Sequence, residues 1–257
     1  MFIIWGTKVV RKRIGFVADF CPICRSPQAF KLNRVGAAGH VYYMSFGSGK
    51  LIGHEIQCLT CGTALKTDPG KYASHSKKEC AVNELLELTF PNLKEAYKAE
   101  LALEEKVKAD PLSLAPEERR EQLFTPFILV SPKVEKRFVS THIDKETCMV
   151  LLGTIMLAIF APKYMESLFG IDSGAAALSI LGTGLILFIF QLAISGRRYI
   201  RKKIIPVIAK GLSPIRPSRE ELTATLAELK RIGHKVGKKI RLADLWAEVG
   251  SPVQHLG

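Results

Sequence analysis

Cys21-Pro22-Ile23-Cys24 and Cys58-Leu59-Thr60-Cys61 are two CxxC pairs with 33 residues between them, and their reading decides the fold of the N-terminal part. A CxxC turn sets two thiolates on one side of a tight loop. Two such loops close a tetrahedron of sulfurs around Zn2+, with Zn–S about 2.3 Å. Pro22 stiffens the first loop, and Gly62 follows the second, where a positive φ is often needed. The separation exceeds the commoner spacing of about 15–20 residues and leaves room for strands between the loops. Cys21, Cys24, Cys58 and Cys61 are therefore the expected ligands of a structural Zn2+. The competing reading, a redox CxxC, wants a βαβ unit that the sequence does not show. Iron suits the same four donors, as in rubredoxin, and would make the segment an electron carrier.

Around the pairs, residues 2–7, 14–18, 29–35 and 40–46 are rich in β-branched and aromatic types, and Gly36, Gly39, Gly47, Gly49 and Gly53 mark turns between them. This predicts a small antiparallel zinc ribbon over residues 1–70. So short a segment buries little core, so the metal is expected to supply much of its folding free energy. The opening Phe2-Ile3-Ile4-Trp5-Gly6, the CPxC and the later CxxCG resemble a mostly bacterial zinc-ribbon family that begins with an FIIWG-type strand. The likeness covers about residues 1–65 and implies a metal and a fold, with no catalytic activity. Arg25 stands after the first pair where a glycine is expected, a departure from the pattern. Cys80 and Cys148 read as lone thiols. His40 and His54 lie between the pairs, where four thiolates already close the site.

The chain has 257 residues, 37 Lys/Arg and 24 Asp/Glu, a formal net charge of +13. The charge is uneven. Residues 1–80 carry 12 basic and 4 acidic side chains, residues 81–146 carry 10 and 13, and residues 147–257 carry 15 and 7. Basic ends fit a partner with phosphates, either nucleic acid or the anionic inner face of a membrane. Six cysteines are too few for a disulfide scaffold. Residues 1–6 lack the basic n-region and long apolar run of a signal peptide. No spacing of His, Ser or Cys suggests catalysis, so the expectation is a protein that is not an enzyme.

Residues 175–195 hold no charge, with Gln191 as the strongly polar side chain. Twenty-one residues rise about 31 Å as a helix, close to a hydrocarbon core of about 30 Å. Arg197, Arg198, Arg201, Lys202 and Lys203 follow, a stop-transfer pattern that predicts a lipid-facing basic cluster. Residues 148–161 are a shorter apolar run that becomes a full span if extended to residue 169, with Lys163 snorkelling and a turn near 170–174. The expectation is a transmembrane hairpin over residues 145–196, its helices at about 147–169 and 175–195. Basic residues on the outer flanks of both helices predict an integral, multi-pass protein with both termini in the cytoplasm, of a bacterial inner membrane. A four-thiolate site is also safer in a reducing compartment. Small residues at spacing four (Ala175, Ser179, Thr183; Thr154, Ala158) allow close helix packing.

Between ribbon and hairpin, residues 71–144 read as a helical linker. Asn92 and Glu95 form a helix-start signature, and that helix stops before Asp110-Pro111. Pro116 opens another, interrupted by Pro126 and Pro132, which predicts a broken helix. Residues 197–257 read as a basic helical tail: Ser218 and Glu221 make a capping box, and Leu222, Leu226 and Leu229 form a stripe. The whole is an α+β membrane protein: zinc ribbon, helical linker, transmembrane hairpin and helical tail. Its expected role is a membrane-anchored, cytoplasm-facing binding or assembly module, with another protein and anionic lipid at the basic tail as partners. The alternatives are a membrane-tethered nucleic-acid-binding regulator, with Phe30, Tyr42, Tyr43 and Phe46 stacking bases beside Lys31 and Arg34, or an electron carrier or enzyme accessory subunit.

Overall fold

In the computed structural model, which describes residues 5–250 apart from 42–43, 46, 140–142 and 171, both CxxC loops are turns at one end of a single antiparallel sheet. Strand β1 (Trp5–Cys21) and strand β2 (Ser26–Val41) pair along their whole length, from Trp5 opposite Val41 to Cys21 opposite Ser26, with one bulge between Arg13 and Gly15. The two-residue β3 (Met44–Ser45) pairs with the far end of β2. Strand β4 (Lys50–Cys58) takes the other side of β2, and β5 (Ala64–Thr67) pairs with β4.

The expected short strands are thus replaced by two long ones; residues 2–4, 42–43 and 46 of those expectations lie outside the described residues. Gly36, Gly39 and Gly53 sit within strands and do not mark turns. A Cβ on Gly36 would lie 2.1 Å from the Ser48 carbonyl oxygen, so glycine serves there for close approach of backbone, the other use of glycine in a strand. Gly47 and Gly49 do turn the chain, at φ 70° and 64°.

The sheet is covered on both faces at its cysteine end. Helices α1 (Val82–Thr89), α2 (Leu93–Ala96) and α3 (Lys98–Ala109) follow β5. Leu85 of α1 closes over Phe16, Ala18 and Ala29 on one face. Val17, Phe30, Leu32 and Ile56 on the opposite face meet Tyr72, Phe90 and Leu93. The helix expected from Asn92 splits at Tyr97, and Asn92 makes no side-chain cap bond. The ring of Tyr97 packs on Phe20 and Phe90, at 5.4 and 6.2 Å between centroids, and its backbone leaves helical geometry at φ −115°, ψ 29°.

Helix α4 (Pro116–Arg137) runs unbroken through Pro126 and Pro132, against the expectation of a break. An internal proline costs about 3 kcal/mol. Burial of Leu123, Phe127, Val130 and Val134 on one face offsets that cost. The hairpin helices are α5 (Lys145–Phe169) and α6 (Ser173–Tyr199). Asp144 caps the first through Thr147 N at 2.9 Å, Gly170 ends it in the left-handed region, and Asp172 caps the second through Ala175 N at 2.8 Å. A π turn (Ile200–Ile204) carries α6 directly into α7 (Ile205–Leu212).

Two helical stretches are long and apolar enough to cross a membrane, residues 145–168 and 173–215. Only 6% of the most apolar window of each is buried inside the chain, whereas the core helix of a soluble domain is mostly buried. The remaining helices are α8 (Arg219–Arg231), α9 (Lys235–Lys239) and α10 (Leu242–Gly250). The expected capping box forms at Ser218 and Glu221. Leu222 and Leu229 are fully buried, with Ile204, Ile208, Leu212, Val236 and Leu245, against α4. Linker and tail therefore share one helical core.

Candidate metal centre

The first cysteine loop closes β1 onto β2, and the second closes β4 onto β5. Each loop repeats the same geometry. Arg25 N donates to Cys21 O at 2.7 Å, and Gly62 N donates to Cys58 O at 3.0 Å. The fifth residue of each loop is left-handed, Arg25 at φ 57° and Gly62 at φ 68°. Because β4 lies beside β2, Phe30 stands opposite Cys58, and the register brings the two loops together.

Four cysteine sulfurs meet there. Cys21 Sγ is 3.6 Å from Cys61 Sγ, Cys24 Sγ is 3.9 Å from Cys58 Sγ, and all four lie within 4.8 Å of one another. Four sulfurs about 2.3 Å from a tetrahedral Zn2+ stand about 3.8 Å apart, so the spacing suits an ion at the centre. No pair is a disulfide. Cys21 and Cys58 are buried, and Cys24 and Cys61 are half-buried at the surface of the loops. Hydrogen bonding with Cys24, Cys58 and Cys61, together with burial, raises the Cys21 thiol. The bonds from Cys21, Cys24 and Cys58 lower that of Cys61. The sulfurs thus compete for charge, and a divalent cation relieves that competition. The donor set fits a tetrahedral thiophilic metal.

Side chains from the helical body reach both loops, and the sequence reading missed all of them. Arg25 is 5% exposed. Its Nε donates to Glu104 Oε2 at 2.7 Å, its Nη2 to Gln122 Oε1 at 2.9 Å and its Nη1 to Gly211 O at 3.3 Å. A non-glycine residue in the left-handed region costs of order 1–3 kcal/mol, and these three bonds hold it there. Burial is the first cause raising the Glu104 carboxyl above its ordinary range, and the Arg25 bond opposes it. Lys133 Nζ of α4 donates to Gly62 O of the second loop, and burial pushes its ammonium down. The departure at Arg25 was a visible signal; Lys133 left none.

Beside the centre, Asp19 is 1% exposed and accepts from Lys71 Nζ at 2.5 Å and Tyr72 Oη at 2.6 Å. Cys80 and Cys148 stand apart from the cluster, as does His54 on β4; the side chain of His40 is outside the described residues. Phe30 is fully buried, so it does not serve as a stacking platform; Tyr42, Tyr43 and Phe46 are outside the described residues. In the basic cluster, Arg198 pairs with Asp144 at 3.0 Å and Lys202 with Glu146 at 2.9 Å, ties between the two hairpin helices. Arg197 approaches Asp244 at 3.8 Å, while Arg201 and Lys203 are exposed. No protein-family model, no curated protein and no solved structure matches this chain.

Proposed function

We propose that this chain is a membrane-anchored zinc-ribbon protein and not an enzyme: a cytoplasm-facing binding or assembly module held at the bilayer by a two-helix hairpin. The observation that carries the reading is the four-sulfur cluster, set on a sheet whose first loop is bonded to the helix continuous with α6 of the exposed apolar hairpin and whose second is bonded to α4. Cys21, Cys24, Cys58 and Cys61 hold the Zn2+, which fixes the loops and supplies no chemistry beyond that. All four positions of the tetrahedron belong to the protein, so the metal keeps no open position for a substrate. Both termini lie in the cytoplasm, and Arg201 and Lys203 face anionic lipid headgroups. The resemblance to an FIIWG-type zinc-ribbon family agrees with this reading.

Elemental analysis of the purified protein, with alkaline carbonate extraction of the membranes it came from, tests both halves. One zinc per chain and retention in the pellet are expected. Iron with a visible charge-transfer band would replace the module by an electron carrier, and release into the supernatant would remove the anchor.

A further inference from the structure

Two basic regions lie outside the metal centre. In the tail, Lys235 pairs with Glu135 and Arg231 with Glu228, Lys239 lies over the Phe138 ring as Arg13 lies over Phe16, and Lys230, Lys238 and Arg241 make no ion pair among the described residues. The other region is the end of the sheet away from the cysteines. On the face that carries Phe16, α1 covers the sheet at the metal end. Beyond that cover the strands are open from Arg13 outward.

The register fixes which side chains share this open face. Arg13 lies over the Phe16 ring at 5.3 Å, and Arg11 bonds Glu55, which places both arginines on it. Lys50 stands across from Ala37, itself across from Val9, and Lys66 stands across from Glu55. Cations therefore rise from β1 on one side and from β4 and β5 on the other. The floor between them is β2, with Val35 and Ala37 on it and the Arg11–Glu55 pair crossing it near Asn33, which is 8% exposed. Strands are spaced about 4.8 Å apart, so the two rims stand about 10 Å from each other. Glu55 is held by Arg11, whereas Arg13, Lys50 and Lys66 make no ion pair among the described residues.

We propose that this face binds a single-stranded nucleic acid along β2, gripped by its phosphates. The Arg11–Glu55 pair bars the chain from the floor, so one sugar-phosphate chain lies across the tops of the cationic rims, where phosphate contacts need only cations within reach. A lipid surface is less suited, because the register places only Val9, Val35 and Ala37 here as apolar side chains, and insertion gains only about 0.8 kcal/mol per buried CH2. The proposal deepens the binding-module reading and rests on it only in requiring this face to be open to the cytoplasm.

The test uses the full chain in nanodiscs of zwitterionic lipid and a short, mixed-sequence, fluorescently labelled single strand. Binding is expected to weaken about 20-fold between about 50 and 200 mM salt, the dependence for three phosphates released from a single strand. The variant Arg13→Gln/Lys50→Gln/Lys66→Gln should bind at least tenfold more weakly and lose most of that salt dependence. The control variant Lys230→Gln/Arg231→Gln/Lys239→Gln should bind like the parent. Equal loss in both variants, no binding at low salt, or stronger binding of a duplex, of polyglutamate or of phosphatidylserine vesicles overturns the proposal. Zinc content and carbonate extraction, read on the same samples, report separately on the metal centre and the anchor.

Discussion

At the scale of single residues, Arg25 and the cysteines divide the work of the centre. Replacing Cys21 by Ser removes a buried sulfur from the cluster and from the sheet core at once. Zinc should be lost, and hydrogen exchange should quicken across residues 15–32 and 54–67, while Cys148→Ser should change neither. The loss should exceed the 2–5 kcal/mol or so of an ordinary core truncation. Arg25→Ala acts differently, since it leaves the ligands in place and strands Glu104 in a site where it is 7% exposed. Removing one partner of a buried pair costs about 3–5 kcal/mol. The Glu104 carboxyl is already raised by burial, and without Arg25 it rises further. A raised carboxyl favours the folded state below its unfolded pKa and disfavours it as pH rises, so the deficit should be largest at neutral pH. It should shrink toward the ordinary glutamate range near pH ~4.3. The double variant Arg25→Ala/Glu104→Gln should regain part of the loss at pH 7. Thermal unfolding in detergent micelles measures both effects. An arginine where the loop wants glycine was visible in the sequence; its three partners, 79 to 186 residues away, were not, because nothing local encodes them.

At the scale of elements, the hairpin is held by a small-residue contact. A Cβ on Gly184 would lie 2.0 Å from Thr154 Cγ2, so α5 and α6 touch through a threonine and a glycine. Gly184→Leu should force the helices apart, seen as a longer distance between spin labels on their facing surfaces; an unchanged distance would mean the helices pack elsewhere. Ser218→Ala should cost about 1 kcal/mol, because the capping box loses the hydroxyl that accepts from Glu221 N at 3.1 Å. The capping box, the leucine stripe of α8 and both apolar helices were legible because each signal is contained in its own segment. Element lengths in the sheet were not. Glycine punctuates a turn or permits close approach with the same letter, and only the Ser48 carbonyl against Gly36 distinguishes them. The same holds for α4, where two prolines announced a break that packing overrode, and for Tyr97, whose ring contacts interrupt a helix its neighbours favour.

At the scale of the molecule, the two CxxC loops were legible as one site because thiolate spacing is itself the chemistry. The boundary between linker and tail was not legible, since α4 and α8 close one core across the intervening hairpin. Topology is the property most open to test here. Replacing Arg197, Arg198, Arg201, Lys202 and Lys203 by Gln should leave the protein in the membrane and partly mix its orientation, read with reporter fusions at both ends. Each cation near an anionic surface contributes about 1 kcal/mol, whereas the apolar run is long and apolar enough to span without them. Lys133, Lys136, Arg137 and Lys145 before the first helix keep the mixing partial. An unmixed orientation would assign the cluster to the hairpin ties that Arg198 and Lys202 make.

The helix that leaves the hairpin does not stop at the π turn. Residues 173–215 form one rod of 43 residues, about 65 Å long at 1.5 Å per residue. Gly211 near its far end touches the guanidinium that steadies the first cysteine loop. In the membrane-anchored arrangement proposed above, the rod is a lever with its fulcrum at the bilayer surface. Helices change tilt to match hydrocarbon thickness, and a tilt of about 10° moves Gly211, about 23 Å beyond Gly196 at 1.5 Å per residue, by about 4 Å. In the proposed anchored arrangement, a change in bilayer thickness would thereby load the first cysteine loop, as a load at one end of a beam is felt at the other.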